Sequence, residues 1–187
     1  MSPIPRPTRQ SSAVPASGRG EGAGAFPQVR LAGLAECGTN ALTAAAAAMG
    51  ACSTGETTLA RDLLGSLAPG MLVLADRNFY SFEPWNEARA TGADLLWRTK
   101  AGHVLRRQEQ LPDGSWLARL RRFSNHHMLG TDVMVRVIDY AVNDPGRPQA
   151  EPRYRLITTI LDPAAAPAAE LAALYPQRWN SRPPWMS

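Results

Sequence analysis

Hydrophobic positions fall along this chain with several different periods. The run Met71-Leu72-Val73-Leu74-Ala75 is apolar at every position, the pattern of a strand covered on both faces, and Asp76 ends it. Val29 to Glu36 reads as a strand. Leu42 to Met49 reads as a second strand or a short helix, and its Ala44–Ala48 run favours helix by propensity. Ser53-Thr54-Gly55-Glu56 is a capping-type helix start, followed by an apolar stripe of Leu59, Leu63, Leu64 and Leu67. Pro69-Gly70 closes that helix. Ser81 opens another, with Trp85, Ala88 and Ala90 as buried positions; Thr91-Gly92 closes it and Asp94–Arg98 is the next strand. This strand–helix–strand–helix–strand order predicts an α/β core.

Beyond Ala101 the pattern changes to short strands joined by turns. Pro112-Asp113-Gly114 is a hairpin turn, and Asp132 to Ile138 alternates as a strand does. Asn143–Pro152 is a polar loop. Arg153 to Leu161, rich in Ile and Thr, predicts a strand. Pro167 to about Trp179 predicts a helix with Leu171, Leu174 and Trp179 on one face, broken by Pro183-Pro184.

Composition narrows the class. A chain of 187 residues with 44% hydrophobic and 19% charged residues is globular and long enough for one cored domain. Residues 1–25, rich in Pro, Gly, Ser and Ala, form a segment that cannot offset its ordering entropy by burial and is expected to be disordered. Cys37 and Cys52 form no CxxC pair, so both are expected to be small buried residues in a reducing compartment. No apolar run is long enough to span a bilayer and no signal-peptide core is present, which predicts a cytoplasmic protein.

Two features carry chemistry. A carboxylate at the tip of an apolar strand, ahead of a helix, is a common place for a metal or catalytic site; Asp is equally at home there as an N-cap or turn former. Charge supplies the second. Arg98, Lys100, Arg106, Arg107, Arg119, Arg121 and Arg122 face only Glu109 and Asp113, so this stretch alone exceeds the net charge of +4 carried by the whole chain. Trp97 and Trp116 are interleaved with it, a combination suited to phosphate contacts and stacking on unpaired bases; a solvated face is the plainer alternative. His126-His127 lacks a third metal ligand, and Gly18-Arg19-Gly20-Glu21-Gly22 lacks the Lys-Ser/Thr ending of a phosphate-binding loop.

The segment Pro69 to Phe82, containing Ala75-Asp76-Arg77-Asn78-Phe79-Tyr80, resembles the surroundings of the second catalytic aspartate in insertion-sequence transposases of the DDE type, IS-four-like group. Gly92 to Arg98, Tyr154 to Thr159 and Leu171 to Trp179 carry the same likeness, which covers roughly residues 26–179. The resemblance implies an RNase H-like mixed sheet with flanking helices and a β-rich insertion at about 101–152. It implies Mg2+-dependent DNA cleavage and strand transfer by an Asp-Asp-Glu triad, acting on transposon ends and target DNA, and a homo-oligomer. On that pattern Asp76 is the middle catalytic, metal-holding residue. Tyr175 and Arg178 would contact DNA phosphate, and the basic stretch would hold DNA. The first Asp of the pattern belongs upstream of Phe26, where residues 1–25 contain none, and Arg182 stands where the Glu belongs. The domain is therefore expected to be incomplete at both ends, with residues 180–187 unrelated to the family, and catalysis to be lost. The alternative is a non-catalytic DNA-binding or regulatory fragment.

Overall fold

The computed structural model describes residues 29–39, 41–49, 56–100, 102–124, 127–141 and 153–177. The first two strands, β1 (Val29–Ala35) and β2 (Leu42–Met49), form an antiparallel ribbon, and helix α1 (Glu56–Asp62) packs on it through buried Leu59. Helical propensity of the alanines yields here to pairing. Seven residues of β1 find partners in β2, and tertiary context outweighs an alanine preference of a few tenths of a kcal/mol per residue. A 3-10 turn, Leu64–Ser66, continues the leucine stripe to buried Leu67.

The main sheet has six strands. Strand β3 (Leu72–Ala75) is followed by helix α2 (Phe82–Ala90), and then come β4 (Asp94–Thr99), β5 (Arg107–Gln110), β6 (Trp116–Ser124), β7 (His127–Ala141) and β8 (Arg153–Thr158). Their order across the sheet is β3-β4-β8-β7-β6-β5, with β3 and β4 parallel and every other neighbouring pair antiparallel. The β-rich stretch after Ala101 thus continues the sheet of the α/β unit, because β8 lies between β4 and β7. Helix α3 (Ala168–Gln177) completes the chain's described part. The architecture is a mixed α/β fold.

The core lies in two layers. On one face Trp85 and Ala88 of α2 and Leu67 pack against Leu95, Trp97, Trp116, Ala118, Val135, Val137 and Ile157. Trp85 and Trp97 meet edge to face with centroids 5.4 Å apart, a geometry favoured by the ring quadrupoles. On the other face Ala168, Leu171 and Tyr175 of α3 cover Leu96, Ile138 and Leu156. Arg61 of α1 and Glu87 of α2 form a bidentate ion pair, with Nε to Oε2 at 2.8 Å, that links the two helices at the surface.

Four expectations need correction. Strand β3 is half-buried at all four positions instead of fully covered, since among the described residues it pairs only with β4 and forms the sheet's outer edge. Ala90 is exposed at the end of α2, and β8 stops at Thr158, leaving Leu161 exposed. Cys37 is exposed in the turn between β1 and β2, so it is not a core residue. Residues 1–28, Cys52, Asn143–Pro152, Arg178, Trp179 and 180–187 lie outside the described residues, as do the side chains of Arg122 and His127. Among the described residues no helix is long and apolar enough to cross a membrane.

A polar knot not foreseen from sequence ties β7 to the β5–β6 turn and to the approach of α3. Arg136 stands in the middle of β7 and is fully buried. Its Nε donates to Ser115 Oγ at 2.7 Å, one terminal nitrogen donates to Ala166 O at 2.7 Å, and the other donates to Asp113 Oδ2. Asp113, in the β5–β6 turn, also accepts the Ala168 N–H at 2.8 Å and so caps the first turn of α3 from a distant part of the chain. Burial pushes the Asp113 carboxyl up, but hydrogen bonds from Ser115 and Ala168 together with the Arg136 charge outweigh it and hold the group below the usual carboxylate range.

Candidate functional site

Asp76 follows β3 directly, so its position is set by the parallel register with β4, in which Ala75 lies opposite Trp97. One residue on, Asp76 and Arg98 stand side by side, with Arg98 Nη1 3.9 Å from Asp76 Oδ1. The carboxylate also accepts the Arg77 N–H at 2.5 Å, and the Asp76 carbonyl accepts the Phe79 N–H at 3.0 Å, closing the turn. Both hydrogen bonds are those of a strand-to-helix turn. They hold the carboxylate at the sheet's end with 28% of its side chain accessible, enough for a solvent-borne ligand to reach.

Arg98 is held as firmly as Asp76. Its guanidinium carbon lies 3.8 Å from the centre of the Tyr154 ring, a close cation–π stack. Tyr154 on β8 lies 5.7 Å from Tyr140 on β7, its register partner. Beyond them Arg155 pairs with Asp139 through two bonds of 2.7 and 3.0 Å, and donates to the His103 carbonyl at 3.1 Å. His103 packs on Tyr80, with centroids 5.2 Å apart. Burial, and then the Arg155 charge, hold the His103 imidazole below its ordinary pKa, which favours the neutral ring. Burial likewise pushes the Tyr80 phenol up.

Tyr175 lies on α3. Its ring is 2% exposed in the layer under α3. Its hydroxyl donates to the Ala75 carbonyl at 2.9 Å, one residue before Asp76. That bond ties α3 to the end of β3. Arg178, three residues further on, lies outside the described residues.

The described side chains of the basic stretch are spread over both faces of the sheet. Arg107 on β5 bonds Gln110 Oε1 at 2.7 Å and lies 5.2 Å from the Trp116 ring, on the α2 face. Arg119 and Arg121 project from the opposite face of β6, since Trp116, Ala118 and Leu120 between them are buried in that same α2-side layer. Both flank Asp132, at 3.7 and 3.3 Å, which offsets part of their charge. Lys100 and Arg106 are exposed at the loop between β4 and β5. Strand alternation thus places residues that are neighbours in sequence on different faces.

Sequence reading missed the Tyr154 stack, the Tyr175 bond and the Arg136 knot. Arg136 did carry a signal: it is a lone charge inside Val133-Met134-Val135-Arg136-Val137-Ile138, where an unpaired guanidinium could not be buried.

The sequence profile of the transposase DDE domain matches residues 5–180, nearly the whole chain, and the chain belongs to that family. A comparison with curated proteins finds no significant match. The family generally uses divalent metal ions and acts on DNA. Divalent ions of this kind need several converging oxygen ligands. Among the described residues no group of three or more His, Cys, Asp or Glu side chains is placed to hold a metal, and the described neighbour of Asp76 is a cation. The described residues do not fit a metal centre.

Proposed function

We propose that the chain is the core of a transposase of the IS-four-like group with an RNase H-like fold, in which Asp76 is the middle carboxylate of the catalytic set and DNA is the ligand. The motif at Pro69–Phe82 and the position of Asp76 at the end of the parallel β3–β4 pair support this reading. Arg98, Lys100, Arg106, Arg107, Arg119, Arg121, Arg122 and Arg178 are the residues proposed to meet phosphate, and Tyr175 to position β3. Mg2+ would be the metal of the intact chemistry, but Asp76 paired with Arg98 cannot alone hold the two ions that in-line phosphoryl transfer employs. The function proposed for this polypeptide by itself is therefore DNA binding without strand transfer.

That observation, Asp76 beside an arginine with no described carboxylate cluster, carries the conclusion. Fluorescence anisotropy of the full chain with a labelled duplex should show an affinity that falls steeply as salt rises, because each neutralised phosphate releases counterions. Incubation of the same duplex with Mg2+ or Mn2+ should leave it intact. Metal-dependent nicking by the purified chain, abolished in Asp76→Asn, would refute the non-catalytic reading; salt-insensitive or absent binding would refute the DNA reading.

A further inference from the structure

The turn between β5 and β6 holds Asp113-Gly114, the single Asp-Gly step of the sequence, which contains no Asn-Gly. A glycine after an aspartate leaves the amide nitrogen unhindered for attack on the neighbouring carboxyl. Gly114 is exposed, has φ +85°, and an added Cβ there would meet nothing within 4 Å. The fold nonetheless sets three obstacles to that attack. Asp113 Oδ1 accepts the Ser115 N–H at 3.1 Å and the Ser115 hydroxyl at 2.5 Å, while Oδ2 accepts the Ala168 N–H at 2.8 Å and a bond from Arg136. Turning Cγ onto the Gly114 nitrogen would break these bonds. The Gly114 N–H is itself engaged, donating to Leu111 O at 3.1 Å. Charge is the third obstacle, because cyclisation expels the carboxyl OH as water and so runs through the neutral acid. Burial favours that neutral form, but the bonds from Ser115 and Ala168 and the Arg136 charge outweigh it and hold the group ionised.

We propose that Asp113-Gly114 is a latent isomerisation site, kept shut by the Arg136 knot and opened when α3 leaves the β5–β6 turn. In the open chain the Gly114 nitrogen attacks Asp113 Cγ. A C–N bond forms, the Cγ–OH bond breaks, and the hydroxyl leaves with the amide proton as water, which gives a cyclic imide. Water then adds to either ring carbonyl. Addition at the Asp113 main-chain carbonyl breaks its bond to nitrogen and leaves an isoaspartyl link, in which the main chain runs through Cβ and the free carboxylate sits on Cα. One water leaves and one returns, so no other reactant is required. The product cannot rebuild the knot. The extra methylene in the main chain moves the carboxylate away from Ser115, Arg136 and the Ala168 N–H at once, and the first turn of α3 loses its cap. The proposal requires neither DNA nor metal, so it stands or falls separately from the transposase reading.

The test follows the full chain at neutral pH over weeks, with the tryptic peptide Gln108–Arg119 separated into its aspartyl and isoaspartyl forms. In urea the site should convert freely. The folded chain should convert at least about tenfold more slowly, since the reaction awaits opening of the knot. Ser115→Ala and Arg136→Met should restore much of the rate under folding conditions. Trp85→Phe, which loosens the α2 layer but takes no part in the knot, should not. Circular dichroism shows which variants fold, and Ser115→Ala, which removes one hydroxyl, serves if Arg136→Met does not. Chains isolated in the isoaspartyl form should lose amide-exchange protection at Ala168. Equal rates in the folded and unfolded chain would overturn the proposal. So would an absence of conversion in urea, a Trp85→Phe rate equal to that of Ser115→Ala, or an isoaspartyl chain whose Ala168 amide stays protected.

Discussion

Replacing Arg136 with Met removes a group that bonds β7 to the β5–β6 turn and to the approach of α3 at once. Two of its bonds, to Ser115 Oγ and Ala166 O, are 2.7 Å long, a third goes to Asp113, and its side chain has no solvent access. Methionine fills much of the same volume, so the cost is chiefly electrostatic. Asp113 loses its cation, and the Ala166 carbonyl is left without that donor. Breaking one side of a buried pair costs about 3–5 kcal/mol. Asp113 keeps 20% of its side chain in solvent, so water recovers some of this and the lower part of the range, about 3 kcal/mol, is expected. Against a total stability of about 5–15 kcal/mol that is a large fraction. Urea unfolding followed by far-UV circular dichroism should show the midpoint falling by about 1–3 M for a slope of about 1–3 kcal/mol/M. Arg136→Lys should recover only part of the loss, because an ammonium lacks the planar fork that reaches three partners at once. In a double-mutant cycle with Asp113→Asn the two changes should be strongly non-additive. A loss below about 1 kcal/mol for Arg136→Met, or additivity within about 0.5 kcal/mol, would refute the assignment of this knot as a main tie between the sheet and α3.

The acid limb of stability should report Asp113: its carboxyl is held below the unfolded value, so the contribution is present above about pH 4 and lost as pH falls through the lower folded value, and Asp113→Asn should flatten that limb in pH-dependent urea titrations. Gly92→Ala should destabilise more than Gly70→Ala. Both glycines have φ near +85°, a cost of about 1 kcal/mol for alanine, but only at Gly92 would the added Cβ meet Pro69 Cγ, at 2.9 Å; equal melting temperatures would show that Pro69 gives way freely. Tyr175→Phe should cost about 1 kcal/mol by loss of the bond to Ala75 O while leaving DNA affinity unchanged; a fall in affinity at unchanged stability would return the hydroxyl to the phosphate side. Trp85→Ala should cost about 3–5 kcal/mol and remove the near-ultraviolet signal of the Trp85–Trp97 pair, because the indole is wholly buried.

Sequence alone determined the local elements, because each is fixed by neighbours a few residues away. The leucine stripe of α1 and its following turn, the apolar run of β3, the Pro112-Asp113-Gly114 hairpin and the glycine stops at Gly70 and Gly92 are all periodicity and turn chemistry. The motif around Asp76 likewise gave the family. What the tertiary structure decided is every relation between segments distant along the chain. Sheet order placed β8 between β4 and β7 and left β3 at the edge, half-covered, although its composition fits a central strand. Pairing with β1 drew an alanine run into a strand against its propensity. Strand alternation divided the basic residues between two faces. The partners of Asp76, Arg98, Asp113, Arg136 and Tyr175 are set by pairing register and helix docking, as in the bond from Tyr175 to Ala75. These depend on packing free energy summed over the whole core, which no window of sequence contains.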